Sequence, residues 1–410
     1  MRILEICNHF PPTIGGSETH NFSVVKYLYE QGHDVEVIAV RNLQGIEKSG
    51  YNGQMKDQIL SAEFFHPELL EVHIHNITLK EHKFPYSYLC YFNIWRKVRQ
   101  IEKEKGRFDL IEVHFLPFSL FFSGKRKIVL TIHSFVVACA KYPNPHQCRR
   151  PNVGRCKCVD LVRYINWRLV GTICIHKIDK IIVKYSYMAK KLIEKKLPKS
   201  KIAIVPHWIE YEKFQSKGQK NQIQNGDFNV FTFGFLGRLD IREYKGIDLI
   251  IEAFKILSNR RTNARMFLIG DGPSRKELED FCKNNGFLDR VKFVGRVPHD
   301  QVSSYFSSVD AFVVGSHYDN YNWALLELMC SGKPIIATNT GGTCDILIDG
   351  YNGILADPTP ESIAEKMEYV LENYDSLKQI PENALKTIKG KHSLDNLKLY
   401  ESLLMEIAKK

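Results

Sequence analysis

A chain of 410 residues exceeds what one hydrophobic core usually covers, so two domains are expected. Hydrophobic residues at 44% and charged residues at 25% are ordinary for a soluble globular protein, and the absence of any run of about 18 apolar residues excludes a transmembrane helix. The net charge of +11 is uneven: residues 1–205 hold 32 Lys and Arg against 18 Asp and Glu, so anionic lipid, a phosphate-bearing acceptor or nucleic acid would each suit the first half.

MRILEICNHF enters an apolar strand directly, Arg2–Cys7, with no export signal. Ten cysteines in that context imply a reducing cytosol and mostly free thiols, with membrane attachment only peripheral, on the inner face. A turn through Gly15-Gly16 leads into a helix from about Ser17 that buries Val24, Val25, Leu28 and Tyr29, and Val35–Val40 is the next strand. Such β-loop-α-β units build doubly wound parallel sheets, and the glycine pair lets a ligand approach the start of the helix. Leu70–Ile77 alternates as a strand with His73 and His75 on one face, either a metal pair or, as at most such positions, surface histidines. Phe84–Lys105 mixes rings and cations, read as a helix that packs its rings inward, or as a lipid- or acceptor-facing surface. FLPFSLFF at 115–122 suits a buried helix or an acceptor groove.

Asp109–His114 is a further strand, and Lys127–His133 carries His133 to its carboxyl end, where open α/β sheets bind ligands. Cys139, Cys148, Cys156 and Cys158 cluster beyond it. Their C-x8-C-x7-C-x-C spacing is not a standard zinc pattern, which leaves a structural zinc or iron–sulfur site, free thiols or a local disulfide open. From Lys177 to Lys201 the chain is strongly cationic, around a strand at Ile181–Val183 and an amphipathic helix, Met188–Lys196, that buries Leu192 and Ile193. The cations there read as a solvated face or as a surface for anionic lipid. After Ile202–Val205 a domain closes near residue 210, and a polar linker covers 211–228.

The second half repeats the alternation from 229 to 384, with strands at Phe231–Leu236, Arg265–Gly270, Val291–Val294 and Ala311–Val314. Gly237-Arg238 ends the first of these, and Lys245-Gly246 opens a helix. Gly270-Asp271-Gly272-Pro273 and Arg296-Val297-Pro298 form the next two turns. Val313–Gly342 then runs strand, polar loop, helix and strand, with Asp319 and Glu327 eight residues apart across the loop-to-helix turn. A helix N-terminus there offers free N–H groups to an anion, and carboxylates accept hydrogen bonds from hydroxyls, which suits a ligand that is part phosphate and part sugar.

The order Gly-Arg-Leu, Lys-Gly and the acid-x7-Glu helix resembles the retaining glycosyltransferases of family four. The resemblance implies an α/β fold of GT-B type, two Rossmann-like doubly wound domains facing across a cleft. It places an acceptor-binding domain at 1–210, a donor-binding domain at 229–384, and a last helix, about 385–410, back on the first domain. It further implies that Arg238 and Lys245 neutralise the departing nucleoside diphosphate, and that Gly15 and Gly16 face the donor phosphates and the acceptor. His133 would approach the transferred sugar near its 6-hydroxyl, Asp319 would meet donor-sugar hydroxyls and Glu327 the ribose. Gly270, Asp271, Arg296 and Val297, with Asn320, Tyr321, Asn322, Trp323 and Ala324 around the acidic pair, complete the donor site. Asp319 and Asn322 stand where the family usually has Glu and Gly, a departure that bears on the donor sugar. The expected reaction moves a sugar from a UDP- or GDP-sugar to a glycan or lipid-linked acceptor, with retention, front-side attack and no required cofactor. No D-x-D occurs, so no metal is expected for catalysis, and no nucleic acid as partner. A role in cell-surface polysaccharide or glycoconjugate synthesis follows. A sugar-nucleotide 2-epimerase of the same fold, or a non-catalytic lipid- or nucleic-acid-binding protein, are the alternatives.

Overall fold

The computed structural model describes residues 1–8, 10, 11, 16–42, 63, 64, 68, 69, 71–79, 88–114, 126–133, 177–194, 196–215, 230–241, 245–317 and 323–409. They form two compact units, Met1–His207 with Asn396–Lys410, and Trp208–Asp395.

The first unit is built on eight strands: β1 (Arg2–Cys7), β2 (Asp34–Asn42), β3 (Glu63–Phe64), β4 (His73–Leu79), β5 (Leu110–Val113), β6 (Lys127–Thr131), β7 (Lys180–Val183) and β8 (Ile202–Ile204). Their order is β3-β4-β2-β1-β5-β6-β7-β8, and every pairing is parallel apart from the short β3 on β4. Parallel strands covered on both faces read as nearly continuous apolar runs, because both side-chain sets leave water. Ile3, Leu4 and Ile6 of β1 and Leu110 and Ile111 of β5 are fully buried accordingly. Each is worth about 1.5–3 kcal/mol in apolar transfer. Glu5 and Glu112 interrupt those runs.

Three local expectations are corrected here. His75 is not a surface histidine: it is buried, and its Nε2 lies 2.8 Å from Oε2 of Glu36 on the neighbouring β2. The helix Tyr88–Lys105 buries its aliphatic stripe, Ile94, Val98 and Ile101, while Phe92 is 44% exposed and stacks on Trp95 with ring centres 5.7 Å apart. Aliphatic residues at i, i+4 and i+7 lie on one face, which turns Phe92 outward. In the helix Ser186–Glu194, Met188, Ala189 and Leu192 are buried but Ile193 is 41% exposed, one residue beyond the buried stripe.

The second unit has six parallel strands: β9 (Phe231–Leu236), β10 (Ala264–Ile269), β11 (Val291–Gly295), β12 (Ala311–Val314), β13 (Ile335–Thr338) and β14 (Ile354–Ala356), in the order β11-β10-β9-β12-β13-β14. The strand order reverses between β9 and β12, the place where open α/β sheets hold ligands beyond their carboxyl ends. One apolar layer, with Phe233, Ile250, Phe254, Leu257 and Met266, covers one face of the sheet. Another, with Phe306, Phe312, Leu325, Leu328 and Ile335, covers the other. His299–Ser308 forms a 3-10 helix, and the C-terminal stretch forms two helices, Gln379–Lys391 and Asp395–Lys409. No helix among the described residues is long and apolar enough to cross a membrane.

Candidate functional site

In the second unit the expected donor residues gather where β9, β10, β11 and β12 end. After β9 the chain passes Gly237 and Arg238, whose guanidinium is 60% exposed and 3.9 Å from Asp240. Leu239 is pinned on both sides, its N–H donating to the Asp271 carbonyl at 3.1 Å and its carbonyl accepting from Ser274 N–H at 3.0 Å. Half-buried Lys245 precedes Gly246, which caps the helix Ile247–Arg260 with φ +66 and no side-chain capping bond. That terminus therefore leaves its first N–H groups and the positive end of the helix dipole for an anion.

Glycine is required at 246 for space as well as conformation. A Cβ there would lie 1.7 Å from the Gly315 carbonyl oxygen, so the helix start and the loop after β12 meet backbone to backbone. The same loop is held by His317, whose Nε2 lies 2.8 and 2.9 Å from the Asp248 oxygens, and by Thr338 and Thr340, whose hydroxyls donate to the Ser316 carbonyl at 2.6 and 2.9 Å. Gly270, at φ +139, approaches Gly237 equally closely, and a Cβ on it would meet the Gly237 carbonyl at 1.9 Å. Two glycine contacts thus lock three loops into one cluster.

Beyond the loop, the helix Trp323–Met329 carries Glu327, which is 5% exposed, with its Oε1 2.8 Å from Nε2 of His299. Trp323 and Ala324 are half-buried at the start of that helix. Gly270 and Val297 are half-buried and Asp271 and Arg296 exposed in the neighbouring turns, so Arg238, Lys245, Gly270, Asp271, Arg296, Val297, Trp323, Ala324 and Glu327 all belong to the loops and helix starts at one end of this sheet. Asp319, Asn320, Tyr321 and Asn322 lie outside the described residues, as do Gly15, residues 115–122 and the cysteines Cys139, Cys148, Cys156 and Cys158. Sequence reasoning missed His299, although a histidine directly after Arg296-Val297-Pro298 was the available signal.

In the first unit, Gly16 opens the helix Gly16–Glu30, and His133 follows β6. His133 stands at the rim of a buried polar cluster that sequence reasoning did not find. Glu5 of β1 and Glu112 of β5 are register partners, so both carboxyls project from the same face, 2% and 0% exposed. Glu5 Oε2 lies 2.8 Å from His114 Nε2, His114 Nδ1 lies 2.8 Å from His133 Nε2, and that nitrogen is 3.0 Å from Asn21 Oδ1. Glu112 Oε1 accepts from the hydroxyls of Thr131 and Tyr400, which are 2.7 Å apart.

The cation of this cluster is Lys184, 2% exposed, which corrects its assignment to a solvated basic face. It follows β7, so the sheet carries it inward, where its Nζ lies 3.3 Å from His20 Nε2 and 4.7 Å above the Tyr400 ring. Burial lowers its pKa, opposed by the charges of Glu112 and Glu5. Burial likewise raises Glu5 to about 7 and, with the Glu5 charge beside it, raises Glu112. His20 is held well below the usual imidazole value by burial and by Lys184, and so is neutral. Oxygens of Glu5 and Glu112 and a His114 nitrogen lie within 4.8 Å of one another. The His114 nitrogen nearest Glu5 is hydrogen-bonded to it, and the charge of buried Lys184 acts on both carboxyls.

The chain matches two family models, "Glycosyltransferase Family 4" over residues 14–213 and "Glycosyl transferases group 1" over residues 217–387. An uncharacterised glycosyltransferase of Methanocaldococcus jannaschii is 30% identical over 231 residues, covering 55% of this chain and 60% of the relative. Another from the same organism is 24% identical over 396 residues, covering 95% and 94%. A lipopolysaccharide 1,2-N-acetylglucosaminetransferase of Salmonella typhimurium is 27% identical over 230 residues, 53% of this chain and 59% of the relative. The first and last of these matches therefore reach only about three fifths of the relative. Among solved structures, sucrose-phosphate synthase from Thermosynechococcus elongatus superposes with a TM-score of 0.76 at 17% identity, covering 99% of this chain and 98% of that one. Anabaena HepE in complex with UDP and glucose gives 0.71 at 18%, covering 98% and 99%. At these identities the likeness is one of fold.

Proposed function

The chain belongs to glycosyltransferase family four and has its GT-B fold, and from that premise we propose that it moves a sugar from a nucleotide-sugar donor to an acceptor hydroxyl with retention of configuration. The observation that carries this reading is the gathering of Arg238, Lys245, the uncapped start of the helix Ile247–Arg260 and the buried Glu327 in one loop cluster at the end of one sheet. A leaving nucleoside diphosphate carries about two to three negative charges, which two cations and a helix N-terminus offset without a bridging metal. Glu327 accepts from the ribose hydroxyls, and Gly270, Asp271, Arg296 and Val297 border the nucleotide. Trp323 and Ala324, with Asp319 to Asn322, border the donor sugar.

His133 contacts the transferred sugar, and front-side attack assisted by the leaving phosphate accounts for retention with no carboxylate nucleophile. The cationic first half suits a glycan or lipid-linked acceptor bearing phosphate, met at the surface of an anionic membrane. The test is a thermal-shift screen of UDP- and GDP-sugars on the whole protein, followed by transfer assays. UDP, the nucleotide held by HepE, is the first to try. Stabilisation by a sugar nucleotide and acceptor-dependent release of the diphosphate are expected. Conversion of the donor without any acceptor would favour the epimerase, and no stabilisation by any sugar nucleotide would remove the reading.

A further inference from the structure

We infer that Glu5, His114 and His133 form a buried proton relay that decides whether His133 presents a hydrogen-bond donor or an acceptor at its Nδ1. The geometry is continuous. Glu5 Oε2, His114 Nε2, His114 Nδ1 and His133 Nε2 follow one another with 2.8 Å at each of the two hydrogen bonds, through a ring that is itself buried. A neutral imidazole carries one proton, so protonating one nitrogen fixes the other as an acceptor. Two arrangements satisfy the Glu5–His114–His133 chain; the second also lets His133 Nε2–H donate to Asn21 Oδ1, whereas the first requires that oxygen to turn away from Nε2. In the first, the Glu5 carboxyl donates to His114 Nε2, His114 Nδ1–H donates to His133 Nε2, and His133 keeps its proton on Nδ1. In the second, Glu5 is a carboxylate that accepts from His114 Nε2–H, His114 Nδ1 accepts from His133 Nε2–H, and His133 Nδ1 is the basic nitrogen.

Passing from the first to the second moves three protons by one place each. The Glu5 proton goes to His114 Nε2, the His114 Nδ1 proton goes to His133 Nε2, and the His133 Nδ1 proton leaves. One proton is released, and Glu5 gains the negative charge. Nδ1 of His133 is thus the outlet for a proton whose store is 2% exposed.

The surrounding groups make the store titratable in a useful range. Glu112 Oε1 receives two hydroxyl donors, Thr131 and Tyr400, which favour its ionised form, and Lys184 balances that charge. Burial raises both register-paired carboxyls, so the pair holds an exchangeable proton, and the geometry gives that proton a path to His114 Nε2 through Glu5 Oε2. Oε1 of Glu5 and Oε2 of Glu112 have no hydrogen-bond partner among the described residues, and the neighbouring Glu112 carboxyl opposes the burial that raises Glu5. Asn21 and His20, from the helix Gly16–Glu30, flank His133, with Asn21 Oδ1 3.0 Å from its Nε2 and the His20 ring 4.7 Å away. His207 sits 4.9 Å beyond His20, and His20 itself stays neutral. Glu5 and His114 are positioning residues in this scheme. Its bearing on catalysis rests on the proposal that His133 touches the donor sugar, whereas the relay itself does not.

The test is nitrogen-15 NMR of the whole protein labelled at histidine, titrated from about pH 6 to 8 without substrate. His133 and His114 are expected to change tautomer together, each exchanging its protonated and unprotonated nitrogen across one shared midpoint. In Glu5→Gln that step is expected to vanish. A pH-independent tautomer of His133 in the wild type would overturn the relay, as would a proton parked between Glu5 and Glu112 with His114 Nε2–H unchanged throughout. The wild-type titration decides alone should Glu5→Gln fail to fold. Transfer activity measured alongside separates the two ideas: loss of all transfer counts against the function proposed above, and the tautomer record stands independently of it.

Discussion

The Glu327 carboxylate is already held by an imidazole: His299 Nε2 lies 2.8 Å from its Oε1, and Glu327 is buried while the His299 side chain is 54% exposed. Their partnership joins two turns 28 residues apart at the same end of one sheet. His299 sets the direction of the carboxyl, and under the proposed function Oε2 of Glu327 is the oxygen that accepts from the ribose. Glu327→Ala is expected to cut turnover about 10²-fold or more, because it removes the acceptor itself. His299→Ala is expected to weaken nucleotide binding about fivefold, near 1 kcal/mol for a hydrogen bond to a charged group at a wet position, with kcat moved less. The hydrogen bond to Glu327 raises the His299 pKa. The charged pair is complete below the ordinary histidine value and is lost as pH rises through the raised one, so nucleotide affinity in the wild type should fall across that interval and in His299→Ala should not. Calorimetric titration with UDP at several pH values checks both.

The proposed diphosphate role of Arg238 and Lys245 can be tested by truncating each. The Arg238 side chain is 60% exposed and lies 3.9 Å from Asp240, and exposed pairs at such a distance contribute little to folding. Arg238→Ala and Lys245→Ala should each lower turnover by about 10² or more, and Arg238→Ala, at an exposed position, should move the melting temperature little. Near-normal transfer by both variants would remove the diphosphate role.

Gly246→Ala should act in the opposite way, through the fold. The added Cβ meets a carbonyl oxygen at 1.7 Å from a residue at φ +66, so either the helix start or the loop after β12 must shift. The expected loss is about 3 kcal/mol or more, combining a left-handed conformation with backbone overlap. Urea unfolding followed by tryptophan fluorescence measures it. Gly286→Ala, also at positive φ but with open space around its Cβ, is the control and should cost about 1 kcal/mol.

The fold class was legible because it depends on alternation. Apolar runs of four to six residues, each followed by a helical stripe, specify parallel sheets wherever they lie in three dimensions. The loop positions of Gly237-Arg238, Lys245-Gly246 and Glu327 were legible for a related reason, since they sit at fixed offsets from strand ends. The cluster in the first unit was not. Glu5 and Glu112 are 107 residues apart, and only the register of β1 on β5 makes them neighbours. Each left a local trace, an acid in the middle of an apolar strand, RILEIC and LIEV. Lys184 left less, being one lysine among nine between Lys177 and Lys201. What distinguishes it is its place directly after a buried strand, where the sheet points a side chain inward. Phe92 in the helix Tyr88–Lys105 was misread for another reason: aliphatic and aromatic residues both recur there, and Ile94, Val98 and Ile101 are the ones buried.

Acid stability of the first unit depends on Glu36. Burial alone would raise its carboxyl pKa, but hydrogen bonds from His75 at 2.8 Å and Arg2 at 2.7 Å, with Lys105 at 3.4 Å, hold it at about 2 against an ordinary 4.5. A depressed carboxyl stabilises the folded chain fully above its unfolded value, and that stability is lost as pH falls from about 4.5 through about 2. The shift corresponds to on the order of 3 kcal/mol. Glu5 has the reverse sign. Its raised value stabilises the folded chain below about 4.5, and the contribution drains away as pH rises towards 7. Wild-type stability should therefore fall on the acid side, where Glu36→Gln removes most of the slope, and Glu5→Gln should flatten the neutral side only. Urea midpoints measured from about pH 3 to 8 distinguish them, and a Glu36→Gln protein that retains the full acid slope would show that His75 and Arg2 do not hold that charge.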